Sequence, residues 1–346
     1  MTPPSKLKRE LGRLFRVSHW RALLRFQYQL FMTWALGAPE HEDISAYFPA
    51  LNREDTFICF VVYAPTGIRE DTREALRQLA EGAQLRVLVV ANHLLTPSDR
   101  RFLEGLNVAF VQGDNQGRDF GPYRDFCLSL ATRQSTCDQP ICRRLVLMND
   151  SIAFPFQGRA VDMFDGFDGA AIYGMIEQRN SRVKSDHLCS FCLSFPSSVL
   201  QDPTFLGFWQ RYSPRADRYY TIRAGEVTLS RTLRAAGYDL RAKYTKSRLL
   251  EAIAQAQGAK LPQAWEAARV AQLGSAQDIA AWRNSCLESQ RQGLAALVGR
   301  HQGLRLLPLF AVFLRLPFAK QHDLHGYPGL KAWYAKAFDQ GQVDLC

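Results

Sequence analysis

At 346 residues and 47% hydrophobic content, the chain has the material for one large α/β domain with appendages or for two domains, and a globular, enzyme-sized protein is the default. The formal charge of +10 favours an acidic partner, whether nucleic acid, an anionic membrane surface or a phosphorylated substrate, without choosing among them. No run reaches the roughly 18 apolar residues of a spanning helix; the nearest, 26–38 and 306–314, are too short, which excludes an integral membrane protein.

Residues 1–38 interleave Lys6, Lys8, Arg9, Arg13, Arg16, Arg21 and Arg25 with Trp20, Leu24, Phe26, Phe31 and Trp34. That spacing suits a helix lying in an anionic membrane interface, and equally a helix packed on the domain with its basic face in water. Gly37-Ala38-Pro39 ends the pattern. From Thr56 onward, strands expected over 57–63, 85–91, 108–111 and 145–148 alternate with helices over 69–81, 97–106 and 120–131. Such alternation predicts an α/β fold, a mostly parallel sheet with helices on both faces. After Ser151 the rhythm loosens, with strands over 170–175 and 188–195, helices over 203–212 and 226–236, and an Ala/Gln-rich helical stretch over 251–300. Three units follow from this pass: a basic amphipathic helical segment over 1–40, a ligand-binding domain over 50–250, and a mainly helical region over 251–346 that packs on the core.

No signal peptide opens the chain, so the eight cysteines read as reduced and cytosolic. Cys189 and Cys192 have C-x-x-C spacing, with Cys137 and Cys142 nearby in sequence, which a zinc site would use. The pair lies in an apolar run, however, where cysteine behaves as a small hydrophobe.

Polar side chains cluster where two strands end. Asn115-Gln116-Gly117-Arg118-Asp119-Phe120-Gly121-Pro122-Tyr123 follows the third strand and Asn149-Asp150-Ser151 the fourth, and ligands of open α/β sheets bind beyond the carboxyl ends of strands. A loop with Asn115, Gly117 and Gly121 can turn tightly and offer backbone N–H groups to phosphate, while Arg118 adds a charge able to bridge two phosphate oxygens. The alternative is a structural turn in which Arg118 pairs with Asp119. The glycines do not have the G-x-G-x-x-G spacing of a dinucleotide dehydrogenase. Asn149, Asp150 and Ser151 offer oxygens suited to Mg²⁺ or Mn²⁺, or else Asp150 caps the following turn.

These two strings together resemble the rhamnan synthesis protein F family of glycosyltransferases. Asp186-His187-Leu188-Cys189-Ser190-Phe191-Cys192-Leu193, Gly225-Glu226-Val227-Thr228-Leu229-Ser230 and Pro317-Phe318-Ala319-Lys320 are similar to further segments of that family, so the resemblance runs from about Thr56 to Lys320. It implies a GT-A-like fold in which a sugar passes from a nucleotide-sugar, dTDP-rhamnose first, to a lipid-linked or growing cell-surface polysaccharide such as O-antigen, rhamnan or capsule. It also implies that Ala64, Pro65 and Asn92 flank the nucleoside and that Asn115, Gly117, Arg118, Asp119 and Asn149 face the donor. Asn149-Asp150-Ser151 stands where the family's fold carries a D-x-D metal motif. Only Asp150 there is acidic, which leaves it the single candidate ligand for Mg²⁺ or Mn²⁺.

Inverting glycosyl transfer needs a general base for the acceptor hydroxyl and positive groups for the departing diphosphate. Glu226, expected near a helix start, is the candidate base, and Asp150 is the second candidate catalytic residue. His187 orients the acceptor or assists a metal, unless it is a structural histidine beside an apolar strand; His322 and His325 are weaker candidates. The basic N-terminal helix would place the enzyme in the cytoplasm, peripheral on the inner face of the cytoplasmic membrane. A rival reading is a catalytically silent module that binds a saccharide or a partner synthase. Nucleic-acid binding rests on charge alone, without a zinc-finger, RRM or helix-turn-helix signature, and is set aside.

Overall fold

The computed structural model describes residues 17–106, 108–180, 185–257 and 260–338. Lys6, Lys8, Arg9, Arg13 and Arg16 lie outside the described residues. The N-terminal helix is seen from Val17 to Leu36, and Gly37, with φ +75°, ends it in the left-handed conformation that glycine adopts without a Cβ clash.

Strands β1 (Thr56–Val62), β2 (Leu85–Ala91), β3 (Ala109–Gln112) and β4 (Arg144–Asn149) form a parallel block. The very short β5 (Ile152–Ala153) follows, then β6 (Ile172–Asn180), β7 (Ser185–Leu188), β8 (Cys192–Pro196) and β9 (Leu240–Tyr244). The main sheet runs β3-β2-β1-β4-β8-β6-β7, with β9 beside β6; β8 is antiparallel to both β4 and β6, whereas β9 is parallel to β6. A last strand, β10 (Ala319–Lys320), pairs antiparallel with β5.

Every residue of β1 is buried, as a β-branched and aromatic strand covered on both faces must be. Its side chains alternate between two cores. Ile58, Phe60 and Val62 share one core with Ala75, Leu76 and Leu79 of the helix Glu70–Ala80 and, further along the chain, with Leu261, Trp265, Leu297 and Phe310 of the C-terminal helices. Phe57, Cys59 and Val61 share the other with Phe126 and Leu130 of the helix Phe120–Ser135 and Trp209 of the helix Pro203–Arg211, the Phe57 and Phe126 ring centres lying 4.8 Å apart. The expected helices on both faces are therefore present, and the described C-terminal helices cover one face of the sheet.

Two expected elements differ. The apolar run 188–195 is not one strand: it breaks at Ser190-Phe191 into β7 and β8, and the break is held by the Glu226 carboxylate, which accepts hydrogen bonds from the Ser190 N–H and hydroxyl, each at 2.7 Å. The helix expected over 226–236 begins eight residues earlier. It runs as a short α-helix Arg218–Tyr220, a π-helical segment Thr221–Val227 and an α-helix Thr228–Ala235, so Glu226 lies inside a continuous helix rather than at its N-terminus. The wider turn is stabilised by the Thr228 hydroxyl donating to the Arg223 carbonyl at 2.7 Å, and Gly225 lies against the Phe120 ring, where an added Cβ would come within 2.8 Å.

Candidate functional site

Beyond the carboxyl ends of β1, β2 and β4 lies a cleft of about 840 Å³, lined by both strand-exit strings and by the π-helical segment. Its first lining is backbone held in unusual shape. Asn115, Gly117 and Arg118 all have positive φ, at 60°, 77° and 59°, and the Asn92 side chain at the exit of β2 pins the loop by donating to the Arg118 carbonyl at 2.7 Å. Gly117 abuts Pro214, where an added Cβ would lie 2.5 Å from the ring, and a Cβ on Gly121 would lie 1.9 Å from the Gln116 carbonyl oxygen. Only glycine permits the chain to double back so tightly there.

Asn149 is the last residue of β4, and Asp150 and Ser151 follow it directly. Asn149 Nδ2 donates to Asp119 Oδ2 at 2.7 Å, and Asn149 Oδ1 accepts from the Ser151 N–H at 3.1 Å and from its hydroxyl at 2.5 Å. Asp119 thus takes Asn149 as its partner rather than Arg118. Burial is the main cause that raises the Asp119 carboxyl to about 6, with the nearby Glu226 charge adding to it against Arg118 and Lys320. Asp150 is likewise raised to about 6 by burial, although Arg69 stands 3.7 Å away and the Tyr63 N–H donates to it at 3.2 Å.

The second lining comes from later in the chain. Glu226 Oε1 lies 3.0 Å from His187 Nε2 while Oε2 holds Ser190. Burial alone would raise the Glu226 carboxyl, but the hydrogen bond and charge of His187 and the two Ser190 donors outweigh it and hold it below its ordinary value. His187 is buried, and its Nδ1 has no hydrogen-bond partner among the described residues. Lys320 arrives on β10: its ammonium donates to the Ser151 hydroxyl at 2.7 Å and lies 4.2 Å from the centre of the Phe191 ring.

Asn92, Asn115, Arg118, Asp119, Asn149, Asp150, His187 and Glu226 all line this cleft. Three expected residues do not. Ala64 is buried with its N–H 3.3 Å from His93 Nδ1, Pro65 is exposed outside the lining, and Gly117 shapes the loop from behind; the first strand instead contributes Val61 and, just past its end, Tyr63. Of the C-terminal histidines, His322 reaches the lining, paired with Asp323 at 3.6 Å, while the exposed His325 lies outside it and bonds the Gln321 carbonyl. Sequence reasoning missed Lys320 and Ser190 as site groups although both stood in strings it singled out. It also missed the Arg179, Arg218 and Arg223 side chains that line the cleft. Arg118, Arg179 and Arg218 make no ion pair with any described residue, so the cleft presents open positive charge.

A divalent ion is a poor match for this donor set. Among the described residues no three His, Cys, Asp or Glu side chains gather in a metal-holding group. The Asp150 carboxylate is turned to Arg69 and Tyr63, the Asn149 and Ser151 oxygens bond each other, and an ammonium already sits on Ser151. Hard cations want several convergent oxygens, and these are engaged elsewhere.

Against known proteins, the family model described as rhamnan synthesis protein F matches residues 87–256, which bears out the resemblance over that stretch. The match takes in Asn92, the 115–121 loop, Asn149-Asp150-Ser151, His187 and Glu226, and leaves β1 and Lys320 outside it. The chain is 29% identical over 195 residues to the uncharacterized protein y4gN of Sinorhizobium fredii, a stretch that covers 56% of this chain and 49% of that one. The chain therefore spans about half the length of this curated relative. Similar solved structures include the glycosyltransferase GlyE of Streptococcus pneumoniae, at 8% identity over 55% of this chain and 45% of that chain with a TM-score of 0.33. The mannosyltransferase PcManGT of Pyrobaculum calidifontis, solved with GDP-Man and Mn²⁺, gives 14% identity over 95% and 97% with a TM-score of 0.27.

Proposed function

We propose that the chain is a glycosyltransferase that moves a sugar from a nucleotide-sugar, rhamnose from dTDP-rhamnose first, to a lipid-linked or growing cell-surface polysaccharide. The observation that carries this reading is the convergence, in one cleft at the ends of parallel strands, of a left-handed glycine loop, cations without an ion pair among the described residues and an ionised carboxylate, within a segment that matches the rhamnan synthesis family. On this reading Asn92, Asn115, Asn149 and the loop shaped by Gly117 hold the donor, Arg118 binds its diphosphate, and His187 with Ser190 fixes Glu226. Glu226 takes the acceptor hydroxyl's proton. Held below its ordinary pKa it is a weak base, which suffices because the hydroxyl proton becomes acidic as the new C–O bond forms. Asp119 and Asp150 complete the polar floor.

The N-terminal helix supports a lipid-linked acceptor and a peripheral place on the cytoplasmic face of the membrane. Its inward side sets Phe26 against Tyr219 and Tyr220 at the cleft's lip, while Trp20, Leu24, Tyr28, Phe31 and Trp34 are exposed. No helix among the described residues is long and apolar enough to cross a membrane.

The test is a thermal-shift and transfer screen of the purified chain against dTDP-rhamnose, UDP-sugars and GDP-sugars. A selective rise in melting temperature names the nucleotide by mass action. No shift with any of them, in protein that melts cooperatively, would leave the catalytically silent binding module instead.

A further inference from the structure

We propose that the Lys320 ammonium, not a divalent metal ion, neutralises the donor's departing diphosphate. The inference rests on the nucleotide-sugar reading and assigns that site its counter-charge.

Three observations carry it. Lys320 is half-buried, lines the cleft, and makes no ion pair with any described residue; its contacts are the Ser151 hydroxyl at 2.7 Å and the Phe191 ring face at 4.2 Å. The Glu226 and Asp119 carboxylates act on it through space without pairing with it, and a cation taken partly out of water with no direct ion pair is costly unless an anion completes it. Its position is fixed by backbone as well as by side chain: β10 pairs with β5 through Lys320 and Ile152, and the Gln321 N–H donates to the Ser151 carbonyl at 3.0 Å. The charge is thereby tied to the turn that a metal-dependent site would use. Finally, the oxygens of that turn face one another, Arg69 and the ammonium, instead of converging on an empty point.

The step balances without an added ion. An acceptor hydroxyl oxygen forms a bond to the anomeric carbon, the bond from that carbon to the diphosphate breaks with its electron pair on the phosphate oxygen, and the hydroxyl proton passes to the Glu226 carboxylate. The Lys320 N–H groups donate to the diphosphate oxygens as negative charge grows there, a fixed, charge-assisted interaction that strengthens towards the transition state.

The experiment uses the full chain, titrated calorimetrically with UDP, dTDP and GDP, first in EDTA and then with Mg²⁺ or Mn²⁺. One nucleoside diphosphate is expected to bind in EDTA with little change on adding either metal. Lys320→Met is expected to weaken that binding about tenfold or more, Lys320→Arg to restore part of it, and the corresponding nucleoside, which lacks the diphosphate, to bind wild type and Lys320→Met alike. Binding that appears only with metal overturns the inference and leaves the nucleotide-sugar reading standing, and this arm needs no variant to fold. Unchanged binding by a folded Lys320→Met protein also overturns it. No binding of any nucleoside diphosphate under either condition overturns both.

Discussion

Where β1, β2 and β4 end, the polar side chains Tyr63, Asn92, Asn149, Asp150 and Ser151 stand at the last residue of a strand in register with its partners or one or two residues past it, and Asn92 and Asn149 lock the loop and turn to their neighbours. The other lining is assembled from afar: Glu226 holds Ser190 across 36 residues of chain, and Lys320 reaches Ser151 across 169. The first lining is therefore local to the strand ends, while the second depends on contacts between residues far apart in the chain. Substitutions should separate accordingly, those in the first lining acting on stability and those in the second on chemistry.

The largest effect tests the second lining. Glu226→Gln keeps size and shape but removes the proton acceptor, and transfer should fall about 10²- to 10⁴-fold while nucleotide binding stays near wild type; some loss of melting temperature accompanies it, because one amide oxygen cannot serve both Ser190 and His187. Because His187 and Ser190 hold the Glu226 carboxyl below its ordinary 4.5, the acid limb of the pH–rate profile should lie below that value. A limb near pH 6 would pass the base role to Asp119 or Asp150, whose carboxyls are raised to about 6.

In the first lining, Gly121→Ala should be mainly a folding defect. Its Cβ would meet the Gln116 carbonyl oxygen at 1.9 Å, backbone against backbone, so the loop must move, at a cost of about 3 kcal/mol in urea unfolding. A variant as stable as wild type that still binds nucleotide would show that the loop is not so tightly built.

The same contrast in range explains what was legible in the residues. Apolar runs such as 57–63 and the punctuation of Gly117, Gly121 and Pro122 are local, and the parallel block and its exits follow from them. The break at Ser190-Phe191 carries no local turn signal: Cys189, Phe191 and Cys192 continue the apolar run, and only a distant carboxylate makes the bend. The π-helical register of 221–227 is equally hidden, since it depends on Gly225 meeting Phe120. Lys320 was visible as a motif but not as a cation in the cleft, because nothing near it in sequence states that β10 pairs with β5.

A smaller effect reads the electrostatics of the strand exits. The Asp150 carboxyl is raised from its ordinary 3.8 to about 6, so the folded chain prefers its protonated form. The stability this contributes is fully present below pH 3.8 and is lost as pH rises through 6. Asp150→Asn, which never ionises, should therefore gain on wild type between pH 4 and pH 7 by about 2 kcal/mol in chemical unfolding, less than the full shift because water in the cleft screens it. An offset between the two proteins that stays constant with pH would mean that Arg69 fully compensates the buried charge.

The smallest effect concerns the N-terminal helix, whose exposed aromatic side and bound inner side pull in different directions experimentally. Arg21 is exposed on it and forms no ion pair with a described residue. If this face rests on anionic lipid, Arg21→Ala should weaken co-sedimentation with phosphatidylserine-containing vesicles by about 1 kcal/mol, roughly fivefold, at low salt, and the difference should shrink as salt is raised. Trp34→Ser, which removes an indole that is 82% exposed, should weaken binding at every salt concentration, because its contribution is burial in the interface and not charge. Phe26→Ala should differ from both: it lies against Tyr219 and Tyr220, and the Arg223 guanidinium lies over its ring at 5.1 Å, so its loss should loosen the helix from the cleft's lip and lower thermal stability. Equal vesicle binding by wild type, Arg21→Ala and Trp34→Ser would remove the helix from the lipid surface while leaving the chemistry of the cleft untouched.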